Sequence, residues 1–165
     1  GLAETTNSDP MEKKKAIVIA ARTYAYYYTT LGKGKKFPGK PYDLDDDPDH
    51  SQKYLGYGYE KRSKNSITSV EQTTGAIVKY NGKVVITPYF SVSDGVTRSA
   101  QQLWNWQDAA YLPAVEDPYC KGMKLAGHGV GMSGCGALGM AQNGKTYEEI
   151  LKYYYKGITI EKVYE

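Results

Sequence analysis

Gly127-His128-Gly129-Val130-Gly131-Met132-Ser133-Gly134-Cys135-Gly136-Ala137 is the stretch on which the fold turns. It gathers five glycines, one of the two histidines and one of the two cysteines into eleven residues. Glycine gives a core nothing to pack and loses the most backbone entropy on folding, so this density marks sharp turns or backbone pressed close to a neighbour. A tight turn into a following helix and a close backbone approach both fit. Gly129-Val130-Gly131-Met132-Ser133-Gly134 matches G-x-G-x-x-G, but that fingerprint needs a buried strand before it and an acid about 20 residues on. Cys120-Lys121-Gly122-Met123-Lys124-Leu125-Ala126 is not a buried strand. Gly131-Met132-Ser133-Gly134-Cys135 fails G-x-S-x-G, because cysteine stands where the last glycine belongs. Neither a dinucleotide fold nor a serine hydrolase follows.

Downstream of the run, Gly136 to Gln142 reads as a short helix stopped by Asn143-Gly144. Thr146-Tyr147-Glu148-Glu149 is a capping box for a helix over 147–155, closed by Gly157. Ile158, Ile160 and Val163 alternate as a last strand. Upstream, Ala76 to Tyr80 and Lys83 to Thr87 flank Asn81-Gly82, a strong type I′ hairpin signal, with the second strand expected to run on to Phe90. The segment 98–118, with Trp104 and Trp106, reads as loop. At the N-terminus Asp9, Pro10 and Glu12 form an N-cap, a first-turn proline and an N3 acid. Ala16, Ile17, Ala20, Tyr24, Tyr27, Tyr28 and Leu31 recur at helical spacing, predicting an amphipathic helix over 10–31 ended by Gly32. Residues 32–66 read mostly as an extended loop. Helices with an antiparallel hairpin and no βαβ alternation give an α+β class: a long N-terminal helix, a hairpin sheet and two short C-terminal helices.

The chain has 165 residues and a net charge of +3, enough for one domain with a sizeable core. Its lysines are scattered rather than set on one periodic face, so no nucleic-acid partner is expected. Lys13-Lys14-Lys15 reads as a solvated stretch of helix. No apolar segment approaches the roughly 20 residues of a membrane span. Gly1 rather than methionine opens the chain, so a piece lacking an N-terminal signal or anchor is expected. Seventeen tyrosines stand against two tryptophans and two phenylalanines. An apolar ring with a polar tip suits sugars, although any single tyrosine is as readily a half-buried core residue.

Several of these segments together resemble the stage II sporulation protein D family, also called the amidase-enhancer family. The resemblance rests on Gly127 to Ser133, Gly136-Ala137, Gly139-Met140-Ala141 and Tyr147-Glu148-Glu149-Ile150-Leu151-Lys152-Tyr153-Tyr154-Tyr155. Pro10-Met11-Glu12 and Ala20-Ala21-Arg22-Thr23-Tyr24-Ala25 resemble the family's first helix, and Tyr89-Phe90-Ser91-Val92-Ser93-Asp94-Gly95-Val96-Thr97 its central motif. These matches run in family order from Glu4 to Tyr155. Gly134-Cys135 replaces the usual Gln-Tyr, Thr6 the usual proline and Ile17 the usual glutamine. The resemblance implies a single catalytic domain over 1–165 and a lytic transglycosylase that cleaves peptidoglycan glycan strands stripped of stem peptides. It implies a place outside the cytoplasm, cooperation with a cell-wall amidase and no cofactor. The alternative is a glycan-binding enhancer of such an amidase that cuts nothing itself.

In that reaction one carboxylic acid protonates the glycosidic oxygen and then, as carboxylate, takes the proton of the muramic acid's own 6-hydroxyl. Glu4 matches this acid by position, although composition alone reads it as a solvated terminal glutamate. The role needs a raised pKa from partial burial. Arg22, Tyr24, Ser91, Ser93, His128 and Ser133 are the expected donors to sugar hydroxyls and N-acetyl groups. Arg22 also fits a pairing with a buried acid, and His128 a satisfied turn residue.

No metal is assigned. Asp43, Asp45, Asp47 and Asp49 alternate as calcium ligands do, but no glycine makes the turn and no glutamate closes the loop. Zinc lacks a C-x₂₋₄-C or H-x₃₋₅-H pair. In an exterior protein, Cys120 and Cys135 more readily form a disulfide stapling the glycine run. Free thiols and zinc remain the alternatives.

Overall fold

A computed structural model describes residues 5–30, 36–47, 50–53, 55–56, 58 and 63–165. Glu4, Leu31, Gly32 and Asp49 lie outside the described residues. The first helix, α1, spans Met11–Thr29. Ala16, Ile17 and Ala20 are buried as their spacing predicts, but Val18, Ile19 and Ala21 are buried too, so this stretch is enclosed on every side rather than amphipathic. Asp9 does not cap it. The Asp9 carboxylate accepts from the backbone of Thr6 at 2.7 Å and from Lys13 at 2.8 Å, and Pro10 occupies the cap position without a side-chain bond. The solvated lysine stretch needs correction as well: Lys13 and Lys14 are buried, and Lys14 donates to the Asn7 carbonyl at 2.8 Å. Burial lowers the Lys14 pKa, with Asp9 opposing the shift.

The expected loop over 32–66 is irregular through its described residues up to Lys53 but gives way to a helix, α2, over Lys64–Gln72. Next, β1 (Ala76–Tyr80) turns at Asn81 and Gly82, whose φ values of 49° and 72° fit the type I′ geometry, into β2 (Lys83–Val84). Here the expected continuous strand to Phe90 breaks. Beyond Val84 the chain leaves the ladder, and β3 (Tyr89–Phe90) pairs in parallel with β4 (Met132–Ser133) of the glycine run. On the far side of β1, the last strand β5 (Ile158–Lys162) pairs antiparallel, giving the order β2-β1-β5. The segment 98–118 holds a short helix, α3 (Ala100–Trp104), and runs into a 3-10 turn at Pro118–Cys120. The C-terminal helices α4 (Gly134–Gln142) and α5 (Tyr147–Tyr154) stand where the sequence puts them. Both halves of the Thr146–Glu149 capping box are formed.

The α+β class is thus observed. Helix α1 packs against α2, β1, α4 and α5, so it runs through the centre of the molecule. Thr23 fastens it to the sheet: its hydroxyl donates to the Ile19 carbonyl and accepts from the Val78 amide at 2.9 Å. Glu12 reaches across to accept the Tyr147 N–H at 2.8 Å, one of the first-turn donors that α5 cannot satisfy itself. Tyr155 is wholly buried and donates to the Pro88 carbonyl at 2.7 Å. No helix among the described residues is long and apolar enough to cross a membrane.

Candidate functional site

The glycine run is threaded against the segment 88–98. Ala126 bridges Val92, Val130 bridges Arg98, and the Cys135 amide donates to the Ser91 carbonyl at 3.0 Å. At Gly131 φ is +79°, and a Cβ there would stand 2.1 Å from the Pro88 carbonyl oxygen, so only glycine fits the crossing. Ser133 then caps α4, its oxygen accepting the Gly136 N–H at 2.9 Å. The same hydroxyl donates to Asp117 at 2.5 Å, Ser93 donates to that carboxyl at 2.8 Å, and Tyr154 at 3.1 Å. All four residues are buried. Ser93 and Ser133, expected to face a sugar, are brought together here as partners of Asp117. The sequence did not single out that acid, because its three partners lie 16 to 37 residues away.

Cys120 and Cys135 are joined in a disulfide beside this knot. Asp117, Cys120 and Cys135 offer ligand atoms within 4.8 Å of one another. Oxidised, the pair presents no thiolate, which is the form a metal needs. His50 instead places its Nδ1 3.4 Å from an Asp45 carboxylate oxygen and 3.6 Å from one of Asp47, at an exposed position. Arg22 is also committed elsewhere. Its guanidinium donates to the carbonyls of Thr73 at 2.5 Å, Ala76 at 3.1 Å and Val70 at 3.2 Å. It thereby satisfies the C-terminal carbonyls of α2 and ties that helix to α1.

Tyr24, Ser91 and His128 do converge. They line a groove of about 310 Å³ together with Tyr28, Trp104 and Trp106. Three separate elements supply them: α1 one wall, the β3 segment and the glycine run another, and α3 with its exit the third. Asn105, in the left-handed region at φ 55°, ends α3 and folds the two indoles back on each other at 4.8 Å. His128 sits between Phe90 at 5.5 Å and Trp104 at 5.0 Å. Its Nδ1 accepts the Val130 N–H at 3.1 Å, so the neutral ring carries its proton on Nε2 and is a donor. Desolvation lowers the His128 pKa and favours that neutral form, against a backbone hydrogen bond at Tyr89.

At the groove edge Lys36 donates to the Tyr24 hydroxyl and lies 5.2 Å and 5.5 Å from the Tyr24 and Tyr28 ring centroids. Desolvation lowers the Lys36 pKa while Asp45 opposes it, and desolvation raises that of Tyr24. Gln52 is held from both sides, donating to the Ala21 carbonyl at 3.2 Å and accepting from Tyr89 at 2.6 Å. The arrangement offers aromatic faces for a flat apolar surface and a rim of hydroxyl and ammonium donors for the oxygens around it. Sequence reasoning passed over the indoles, although both tryptophans of the chain standing one residue apart was the available signal.

The family model described as SpoIID, Stage II sporulation protein, matches residues 2–80. A stage II sporulation protein D of Bacillus subtilis is 25% identical, the alignment covering 92% of this chain and 69% of that protein. An uncharacterised protein of Brachyspira hyodysenteriae is 27% identical over 92% of this chain, which spans 61% of its length. A B. subtilis protein named amidase enhancer is 33% identical over 65% of this chain and 13% of its own length.

Proposed function

The chain belongs to the SpoIID family, whose setting is cell-wall peptidoglycan processing, and from that premise we propose that it is a lytic transglycosylase of peptidoglycan glycan strands. The observation that carries the reading is the groove, where Tyr24, Ser91 and His128 meet the two indoles. Rings of this kind take the C–H faces of a sugar, and Ser91 and the Tyr24 hydroxyl reach its oxygens. Lys36 brings a positive charge to the rim. Removing a stem peptide leaves a free lactyl carboxylate on the muramic acid, so an ammonium there favours stripped strands.

Glu4 is the proposed acid. It protonates the glycosidic oxygen as the bond from the muramic acid C1 breaks. The resulting carboxylate takes the proton of the 6-hydroxyl while O6 closes onto C1, giving a 1,6-anhydro ring and consuming no water. The setting is outside the cytoplasmic membrane, which the disulfide supports, since such bonds persist in oxidising compartments. A cell-wall amidase is the partner that supplies stripped strands.

The similarity to a protein named amidase enhancer favours one second reading, a glycan-binding module that stimulates an amidase without cutting. One experiment separates the two. Purified chain is incubated with intact and with amidase-treated peptidoglycan, and released sugars are identified by mass spectrometry. The enzyme reading expects 1,6-anhydro ends from stripped strands, with release reduced about 100-fold or more in Glu4→Gln and binding to the pellet retained. Ordinary reducing ends mean a hydrolase, and full activity in the variant removes Glu4 from the mechanism. Co-sedimentation and amidase stimulation with no release identify the binding module.

A further inference from the structure

A second, larger cavity of about 790 Å³ adjoins the groove, and the two share Trp106 and Ile86 as a common wall. Its lining is of the same kind. Tyr27 and Tyr80 supply rings, Tyr80 backed at 5.3 Å by the buried Tyr111. The hairpin turn and the loop after α3 supply polar groups through Asn81, Gln107 and Asp108, all exposed. Helix α1 serves both sites at once. Tyr24 and Tyr28, one turn apart, face the first, and Tyr27 faces the second, its ring 5.2 Å from that of Tyr28. At about 310 Å³ the first groove stands at the lower limit of small-molecule sites, whereas the second lies well inside their range of roughly 300–1,000 Å³.

We propose that this second cavity is an extension subsite that holds further sugar units of the same glycan strand, which passes over Trp106 from the His128 groove towards the Asn81-Gly82 turn. The proposal rests on the glycan reading above and adds a direction and a length to it. Continuity through one shared indole makes the two sites a single track, and each added ring contact raises affinity without touching the first groove. The chain is thereby selective for polymer over short fragments.

The test uses the full chain carrying Glu4→Gln, so that bound sugar is not cut, and peptide-free oligomers of alternating N-acetylglucosamine and N-acetylmuramic acid, two to six sugars long, with tryptophan fluorescence and calorimetry as readouts. Affinity is expected to rise about tenfold or more between the shortest and longest oligomers. Ala110→Trp, at an exposed loop position lining the second cavity, is expected to abolish that gain while leaving the affinity for the dimer unchanged. Asp108→Ala, which adds no bulk, is expected to remove part of the gain and guards against misfolding of the bulkier variant. If the dimer binds and lengthening adds nothing, or both variants keep the full gain, the extension subsite is wrong and the glycan reading stands. If no oligomer binds at any length, both are wrong.

Discussion

His128 couples the groove to pH. Its Nδ1 accepts the Val130 amide, a role only the neutral ring can fill, and desolvation holds its pKa below the ordinary value. The unfolded chain therefore takes up a proton near pH 6.5 that the native state resists. Stability contributed by this residue is full above that value and falls as pH drops towards the folded pKa. Carboxylates held low by their partners, such as Asp9, act in a separate window at or below about pH 4. Denaturant midpoints are thus expected to fall between pH 7.5 and 5.5 in the wild type, and the slope to flatten in His128→Asn. Equal slopes would remove the histidine from the effect. The same residue shows what a sequence reveals at this scale. Tyr24, Ser91 and His128 were named from their motifs and do meet in one groove. Ser93, Ser133 and Arg22 came from the same motifs, but their donors are spent on Asp117 and on the carbonyls of α2. Motif membership gave the residues; the destination of each side chain depended on partners far along the chain.

At the scale of elements, local signals were legible and borrowed ones were not. The capping box of α5 and the Asn81-Gly82 turn lie wholly within a few residues, and both formed as read. Helix α2 is polar, buries only Ser69, and has its last carbonyls satisfied by Arg22 of α1, so nothing local announces it. The second hairpin strand broke because β3 finds its partner in β4, more than 40 residues on. Helix α4 yields a sharp contrast. A Cβ at Gly136 in its first turn would stand 1.9 Å from the Tyr154 hydroxyl and 2.1 Å from Asp117. Gly136→Ala is expected to destabilise by about 2–4 kcal/mol through overpacking and the broken Asp117 network. At Gly144, just past the helix, φ is +80° but no atom lies within 4 Å. Gly144→Ala is therefore expected to cost only about 1 kcal/mol of backbone strain. Urea unfolding of the two variants checks the order, and equal losses would count against the close approach.

Across the whole molecule, the disulfide closes a loop of 15 residues around the glycine run and joins it to the 3-10 turn. Constraint of the unfolded chain by a loop of that length is worth about 3 kcal/mol, or roughly 5–10 °C in melting temperature. Native protein is expected to show an intact mass lower by two hydrogens than the reduced form, and to melt lower once reduced. Two titratable thiols in the native state would overturn the bridge. The sheet has a different consequence, in the order of events during folding. The family match stops at Tyr80, yet Tyr80 is paired with Ile158, and β1 lies between β2 and β5. The matched segment therefore holds only one strand of this sheet. A chain emerging from a ribosome or a translocon holds β1 unfinished, one edge bare, until about 80 further residues have followed, and contacts of such long range slow folding. Completion of this sheet is deferred until Ile158–Lys162 arrives, so the edge of β1 stays open while the whole of the intervening chain is made.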